Sequence, residues 1–223
     1  MILELATVVA LARQCGPSVA VETLVSVVHT ESRFDPYAIG VNAKGVAKPE
    51  PADRATAIST ARALIARGYN IDLGLGQINS ANLKRLDLTV EDAFDPCLNL
   101  AAAARVLSSN YLSVARSSQS TEAAIATAMS MYNTGSRSRG FGNGYVGRVY
   151  ASSNIVVPAI RGAATPPAPA PAPPVEEPKP ATSAPSPLPL AMQPAWDTSA
   201  GAQTASMMVF GGPSTSSLKG QAQ

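Results

Sequence analysis

The chain has 223 residues, 14% of them charged, and its net charge of +2 is spread over single Lys and Arg residues with no basic run. That pattern excludes the electrostatic footprint of a nucleic-acid-binding protein. No segment reaches the roughly 18 consecutive apolar residues of a membrane span, and Cys15 and Cys97 form no CxxC pair near the only histidine, His29, so neither a transmembrane segment nor a Cys/His metal site is expected.

Leu5, Val8, Val9 and Ala12 recur at i, i+3, i+4 and i+7 and predict an amphipathic first helix. The segment MILELATVVALA lacks a basic n-region, carries Glu4 and shows no small-residue cleavage site, so it reads as mature structure rather than as a signal peptide. A second helix over about 20–33 carries Val21, Leu24, Val25 and Val28 on one stripe and stops before Asp35-Pro36, where proline disfavours helical geometry for its predecessor. A polar loop with Pro49 and Pro51 leads to an alanine-rich helix over about 54–67, ended by Gly68. The glycine-rich turn DLGLGQIN and a short helix over about 80–86 follow, and Thr89 with Asp92 forms a capping-box signature for another short helix.

Leu100, Ala103, Ala104, Leu107 and Tyr111 define a helix over about 99–114, and Ile125, Ala128, Met129 and Tyr132 one over about 121–132. A glycine-rich loop, NTGSRSRGFGNG, separates it from a last helix over about 145–155. No run of alternating β-branched residues is present, so the expected class is mainly α. Twelve of the 19 prolines fall between Pro166 and Pro194, which divides the chain into a helical domain over 1–160 and a Pro/Ala-rich tail over 161–223. The tail cannot bury enough apolar surface to offset ordering and is expected to be disordered, polyproline-like chain. It is either a plain linker or a spacer that carries Trp196 and the MMVF segment at 207–210 to a protein partner.

Three segments carry chemistry. Glu31 lies three residues after Val28, so it extends the apolar stripe to the C-terminal end of its helix. Burial and the negative end of the helix dipole both raise a carboxyl pKa there, which is how a glutamate serves as a general acid near neutral pH; the alternative is a solvated last-turn glutamate. In GLGQIN at 74–79, glycines bring main-chain groups close to a ligand, and Gln77 and Asn79 can bond sugar hydroxyls or acetamides. YNTG at 132–135 sets an aromatic and an amide at the end of an apolar helix face. Bridged, Cys15 and Cys97 would close a long loop and stabilise the fold by roughly 4 kcal/mol; unbridged, they are two buried thiols.

In this order and spacing the segments resemble the soluble-type lytic transglycosylase family, whose fold is that of goose-type lysozyme. The family's catalytic glutamate with its serine and Asp/Asn-Pro pair is matched by Glu31-Ser32-Arg33-Phe34-Asp35-Pro36. Its Gly-Leu-Met-Gln-Ile is matched by Gly74-Leu75-Gly76-Gln77-Ile78, with glycine in place of methionine, and its Ala-Tyr-Asn-Ala-Gly by Met131-Tyr132-Asn133-Thr134-Gly135. The cysteine after the first helix, DPYAI at 35–39, NIDLGLGQIN at 70–79 and FDPCLNL at 94–100 are similar to the VirB-type transglycosylases of type IV secretion systems. The resemblance covers roughly residues 3–155.

The resemblance implies a lysozyme-like helical domain that cleaves the MurNAc-GlcNAc bond of peptidoglycan and leaves an anhydro-muramoyl end, without metal or cofactor. Glu31 and Tyr132 would be catalytic, and Ser32, Gln77, Ile78, Asn79 and Asn133 would bind substrate. Ser32 would either orient Glu31 or cap its helix. The implied setting is the periplasm or cell envelope, with peptidoglycan strands as substrate and secretion-system components as partners of the Pro-rich tail. That setting favours a Cys15–Cys97 disulfide. Two departures stand out: Gly40 occupies the position of a supporting serine, and Gly76 replaces methionine, which is expected to open space in the cleft. The remaining alternatives are a lysozyme-like hydrolase that positions water with Asp35 or Asp72, and a non-catalytic wall-binding assembly protein.

Overall fold

The structure, a computed structural model, describes residues 1–164. The Pro-rich tail, with its expected disorder, Trp196 and the 207–210 segment, lies outside them. The fold is mainly helical, as the sequence predicts: α1 Leu5–Cys15, α2 Val21–Ser32, α3 Arg54–Ala66, α4 Leu83–Leu86, α5 Val90–Ala93, α6 Pro96–Val114, α7 Thr121–Thr134, α8 Arg139–Gly142 and α9 Tyr145–Ala164. The predicted stripes face inward. Val8 and Ala12 of α1, Leu24, Val25 and Val28 of α2, Leu100, Ala103 and Leu107 of α6, and Ile125 and Met129 of α7 belong to one buried cluster. Among the described residues no helix is long and apolar enough to cross a membrane.

Local chemistry sets the helix ends. Asp53 caps α3 by accepting from Thr56 N, Ser120 caps α7 through Ala123 N, and Thr89 with Asp92 forms the expected reciprocal box on α5. The α6 helix begins at Pro96, earlier than the apolar pattern suggests, because Pro96 takes the first helical position and Asp95 accepts from Cys97 N and Leu98 N, each at 2.9 Å. At its other end α2 stops in two left-handed residues, Arg33 and Phe34. Phe34 is buried against the His29 ring, and its carbonyl accepts from Leu3 N at 2.9 Å, which holds this tight reversal. The α9 helix runs past 155 and through Pro158, with Val156 and Ile160 buried in the core on either side of the proline.

Two features depart from the sequence reading. A three-stranded antiparallel sheet, β1 Ile39–Val41, β2 Ile71–Leu73 and β3 Ile78–Asn79, spans the glycine-rich turn. Its register pairs Gly40 with Asp72 and Asp72 with Asn79. Ile39, Ile71, Leu73 and Ile78 enter the core, so the alternation of side chains puts Gly40, Asp72 and Asn79 on the opposite face. Strands of two or three residues are too short to show a period in sequence. The α8 turn, within the stretch read as a loop, forms where Gly140 N donates to the buried Ser130 hydroxyl at 2.9 Å.

A disulfide joins Cys15 at the end of α1 to Cys97 in the first turn of α6, across 82 residues of sequence. Closing a loop of that length stabilises the fold by about 4.5 kcal/mol in the chain-entropy account. The Cys15→Ala/Cys97→Ala variant is therefore expected to melt on the order of 10 °C lower than the parent. Calorimetry of both proteins checks this, and a difference below about 2 °C would show that the bridge does not constrain the unfolded chain.

Candidate active site

Glu31 sits in the last turn of α2, after four buried apolar or small residues, Val25, Ser26, Val27 and Val28. Its own side chain is part-buried. The first residue of α9, Tyr145, is 2% exposed and its hydroxyl donates to Glu31 Oε1 at 2.5 Å. Burial raises the Glu31 pKa from 4.5 to about 7; the Tyr145 hydrogen bond opposes this, the negative charge of Asp72 adds to it, and the positive charge of Arg148 opposes it. Tyr145 is fixed in turn: its backbone N–H donates to Asn143 Oδ1 at 3.0 Å, and the Arg148 guanidinium lies 5.7 Å from its ring centre. The sequence reading does not name Tyr145. The one available signal is its place at the head of an apolar α9 stripe that continues through Val149, Val156 and Ile160, all buried.

The facing wall is the turn between β2 and β3. Gly74 has φ +71°, and a Cβ there would lie 2.4 Å from the Ala93 carbonyl, so this position requires glycine. Asn99, 1% exposed, staples the turn to α6: it donates to the Leu73 and Ala93 carbonyls at 2.9 and 2.7 Å and accepts from Gly76 N at 2.7 Å. Gln77, at φ 49°, donates to the Ala38 and Gly74 carbonyls. Its amide nitrogen thus holds the turn, while its oxygen faces Gly40.

Tyr132 comes from α7 and donates to the Gly76 carbonyl at 2.6 Å. Burial, then the charges of Glu31 and Asp72, push its phenol well above the ordinary value, so it remains a proton donor. The bond to the Glu31 carboxyl comes from Tyr145 rather than from Tyr132. Gly76 does not open the cleft as expected. A Cβ there would lie 2.9 Å from Ala103 Cβ and 3.0 Å from the Tyr132 oxygen, so the missing side chain makes room for Tyr132.

Glu31, Asp72, Gln77, Ile78, Asn79, Tyr132 and Asn133 together line a cleft of about 480 Å³ that continues along Asn82, Arg85 and Asn110. Asn133 Oδ1 accepts from Asn143 Nδ2 at 2.9 Å. Ser32 is not brought to this cleft; its hydroxyl donates to the Val28 carbonyl at 3.2 Å and closes the end of α2. Asp35 also stays away, accepting from Tyr37 N within the turn. Of the two carboxylates weighed as a partner for Glu31, only Asp72 lies in the cleft. Among the described residues no three metal-ligating side chains come together.

Residues 9–151 match the family profile described as "Transglycosylase SLT domain". The chain is 40% identical over 149 residues to "Protein virB1" of Rhizobium radiobacter, a match covering 67% of this chain and 62% of that protein. It is 37% identical over 172 residues to "Type IV secretion system protein virB1" of Brucella abortus, covering 72% of this chain and 71% of the relative. The match therefore spans less than two thirds of the Rhizobium protein's own length. No solved structure matches the chain significantly.

The raised Glu31 pKa has a consequence for stability. Between pH 4.5 and about 7 the folded carboxyl keeps a proton that the unfolded one releases, so the fold loses stability as pH rises through this window, by roughly 3 kcal/mol in total, and levels off above it. Glu31→Gln removes that titration while its amide oxygen can still accept from Tyr145. The melting-temperature advantage of the variant over the parent is expected to grow by several degrees from pH 4.5 to 7 and then stay constant. Parallel melting curves across that range would show that Glu31 titrates normally.

Proposed function

The chain belongs to the transglycosylase SLT domain family, and from that premise we propose that it is a peptidoglycan lytic transglycosylase with Glu31 as its catalytic acid and base. The observation that carries this reading is a carboxyl with its pKa near 7, at the wall of a polar cleft. A general acid works best with a pKa close to the working pH.

In the proposed reaction Glu31 protonates the oxygen linking N-acetylmuramic acid to N-acetylglucosamine as that oxygen leaves the anomeric carbon. The carboxylate then takes the proton of the muramoyl hydroxymethyl group as its oxygen closes on the same carbon. One C–O bond breaks and one forms, the proton returns to Glu31, and no water is consumed. The product is an anhydro-muramoyl end. Tyr145, with its hydroxyl 2.5 Å from the carboxyl, steadies the charged form of Glu31 between the two proton transfers. Tyr132 holds the glycine turn in place and keeps its phenol protonated beside the reacting atoms.

Asn133 offers its amide nitrogen to the sugar strand, Gln77 its side-chain oxygen, and Ile78 and Asn79 complete the wall. Ser32 serves the site through the helix end that carries Glu31. The name of the Brucella relative supports a further reading, in which the enzyme acts in the periplasm or cell envelope and opens the wall locally for a type IV secretion system. In that reading residues 161–223 dock secretion components.

Digestion of purified peptidoglycan tests the proposal. The parent protein is expected to release muropeptides with anhydro ends, each one water lighter than a reducing end, and Glu31→Gln to lose roughly 10²- to 10⁴-fold in rate with its fold intact. Full activity in the variant would reject Glu31. Reducing ends from the parent would identify a hydrolase, and no release of fragments by the parent a wall-binding protein.

A further inference from the structure

Resting on the transglycosylase reading, we infer that Asp72 is a fixed anion of the reaction cleft, locked in one orientation by Asn42, Asn70 and Asn79, and that it supports the positive charge building on the sugar as the glycosidic bond breaks.

The sheet puts these four residues on one face. Asp72 pairs with Gly40 on one side and Asn79 on the other, and Asn42 and Asn70 lie two residues from Gly40 and Asp72 along their chains. Asn42 Nδ2 donates to Asp72 Oδ2 at 2.8 Å and Asn79 Nδ2 to Asp72 Oδ1 at 2.7 Å. Both nitrogens also donate to Asn70 Oδ1 at 2.7 Å, and Asn70 Nδ2 returns a bond to Asn79 Oδ1 at 2.9 Å. The two hydrogens of each donating amide are thus committed, one to Asn70 and one to the carboxylate. This ring turns both amides so that hydrogens, not oxygens, face Asp72, and each Asp72 oxygen accepts one bond and keeps acceptor capacity for the cleft.

A sheet surface held together only by polar contacts would not need a charge at its centre. Among the described residues no Lys or Arg forms an ion pair with Asp72. Gly40, beside it, carries no side chain to cover it; a Cβ there would lie 3.5 Å from Asp72 Oδ2 and 2.8 Å from Gln77 Oε1. Asp72 lines the same cleft as Glu31. A preoriented charge in such a place stabilises a charged transition state without reorganisation. The titratable and charged groups facing Glu31 are Asp72 on β2, Tyr132 on α7, and Tyr145 and Arg148 on α9. The negative charge of Asp72 also favours the protonated form of Glu31.

The test compares Asp72→Asn with Asn70→Ala, which lies outside the cleft lining, using kcat, KM, the pH profile and melting temperature on soluble glycan strands. Asp72→Asn is expected to lower kcat about 10²-fold with KM within about threefold, and to move the alkaline limb of the kcat profile to lower pH. Asn70→Ala is expected to lower kcat a few-fold in the parent and to add nothing in the Asp72→Asn background. For Asp72→Asn, a kcat within threefold of the parent or an unmoved alkaline limb overturns the inference. If Asp72→Asn does not fold, Asn70→Ala decides: a kcat loss at unchanged KM and melting temperature supports the inference, and no loss overturns it. Release of anhydro ends by the parent that is lost in Glu31→Gln upholds the transglycosylase reading whichever way Asp72 falls.

Discussion

Glu31 keeps a proton near neutral pH because α2 ends where it does. Val27 and Val28 hold the last turn in the core, and the left-handed pair Arg33 and Phe34 turns the chain away immediately afterwards. The carboxyl is left at the boundary between an apolar interior and a polar cleft. Both the proposed chemistry and the pH dependence of stability follow from that position.

The groups around Glu31 come from distant parts of the chain, and each needs its own anchor. Tyr145 arrives because α9 packs along α2, and Asn143 and Arg148 fix the start of that helix. The glycine turn arrives because Asn99 binds two of its backbone groups, the Leu73 carbonyl and Gly76 N–H, and ties them to the Ala93 carbonyl of α5. Asn99 sits two residues after Cys97, so the disulfide holds the same end of α6 from the other side. The stability of the fold and the geometry of the cleft therefore share one short segment, Asp95 to Asn99.

The long helices were legible because their apolar stripes run for two turns or more, and the cap at Thr89 and the stop before Pro36 were legible from local chemistry. The sheet was not, since strands as short as Ile78–Asn79 have no period and form only because the glycine turn folds them together. In the site, Glu31, Gln77, Ile78, Asn79, Tyr132 and Asn133 lie on the cleft where their motifs suggested. Ser32 does not, because a hydroxyl near a helix end finds a carbonyl one turn back more readily than a ligand. Tyr145 escaped because Glu31 lies 114 residues away in sequence, and Asn99 because the turn groups it binds, Leu73 and Gly76, lie 23–26 residues away. No periodicity reports contacts at that separation.

The side-chain carboxyl resonance of Glu31 reports directly on the proton that this carboxyl holds. With ¹³C-labelled glutamate, and Glu31→Gln to assign the signal, an NMR titration from pH 3 to 9 is predicted to show a midpoint at about 7 for Glu31. A midpoint near 4.5, the value of a freely solvated glutamate, would contradict the account.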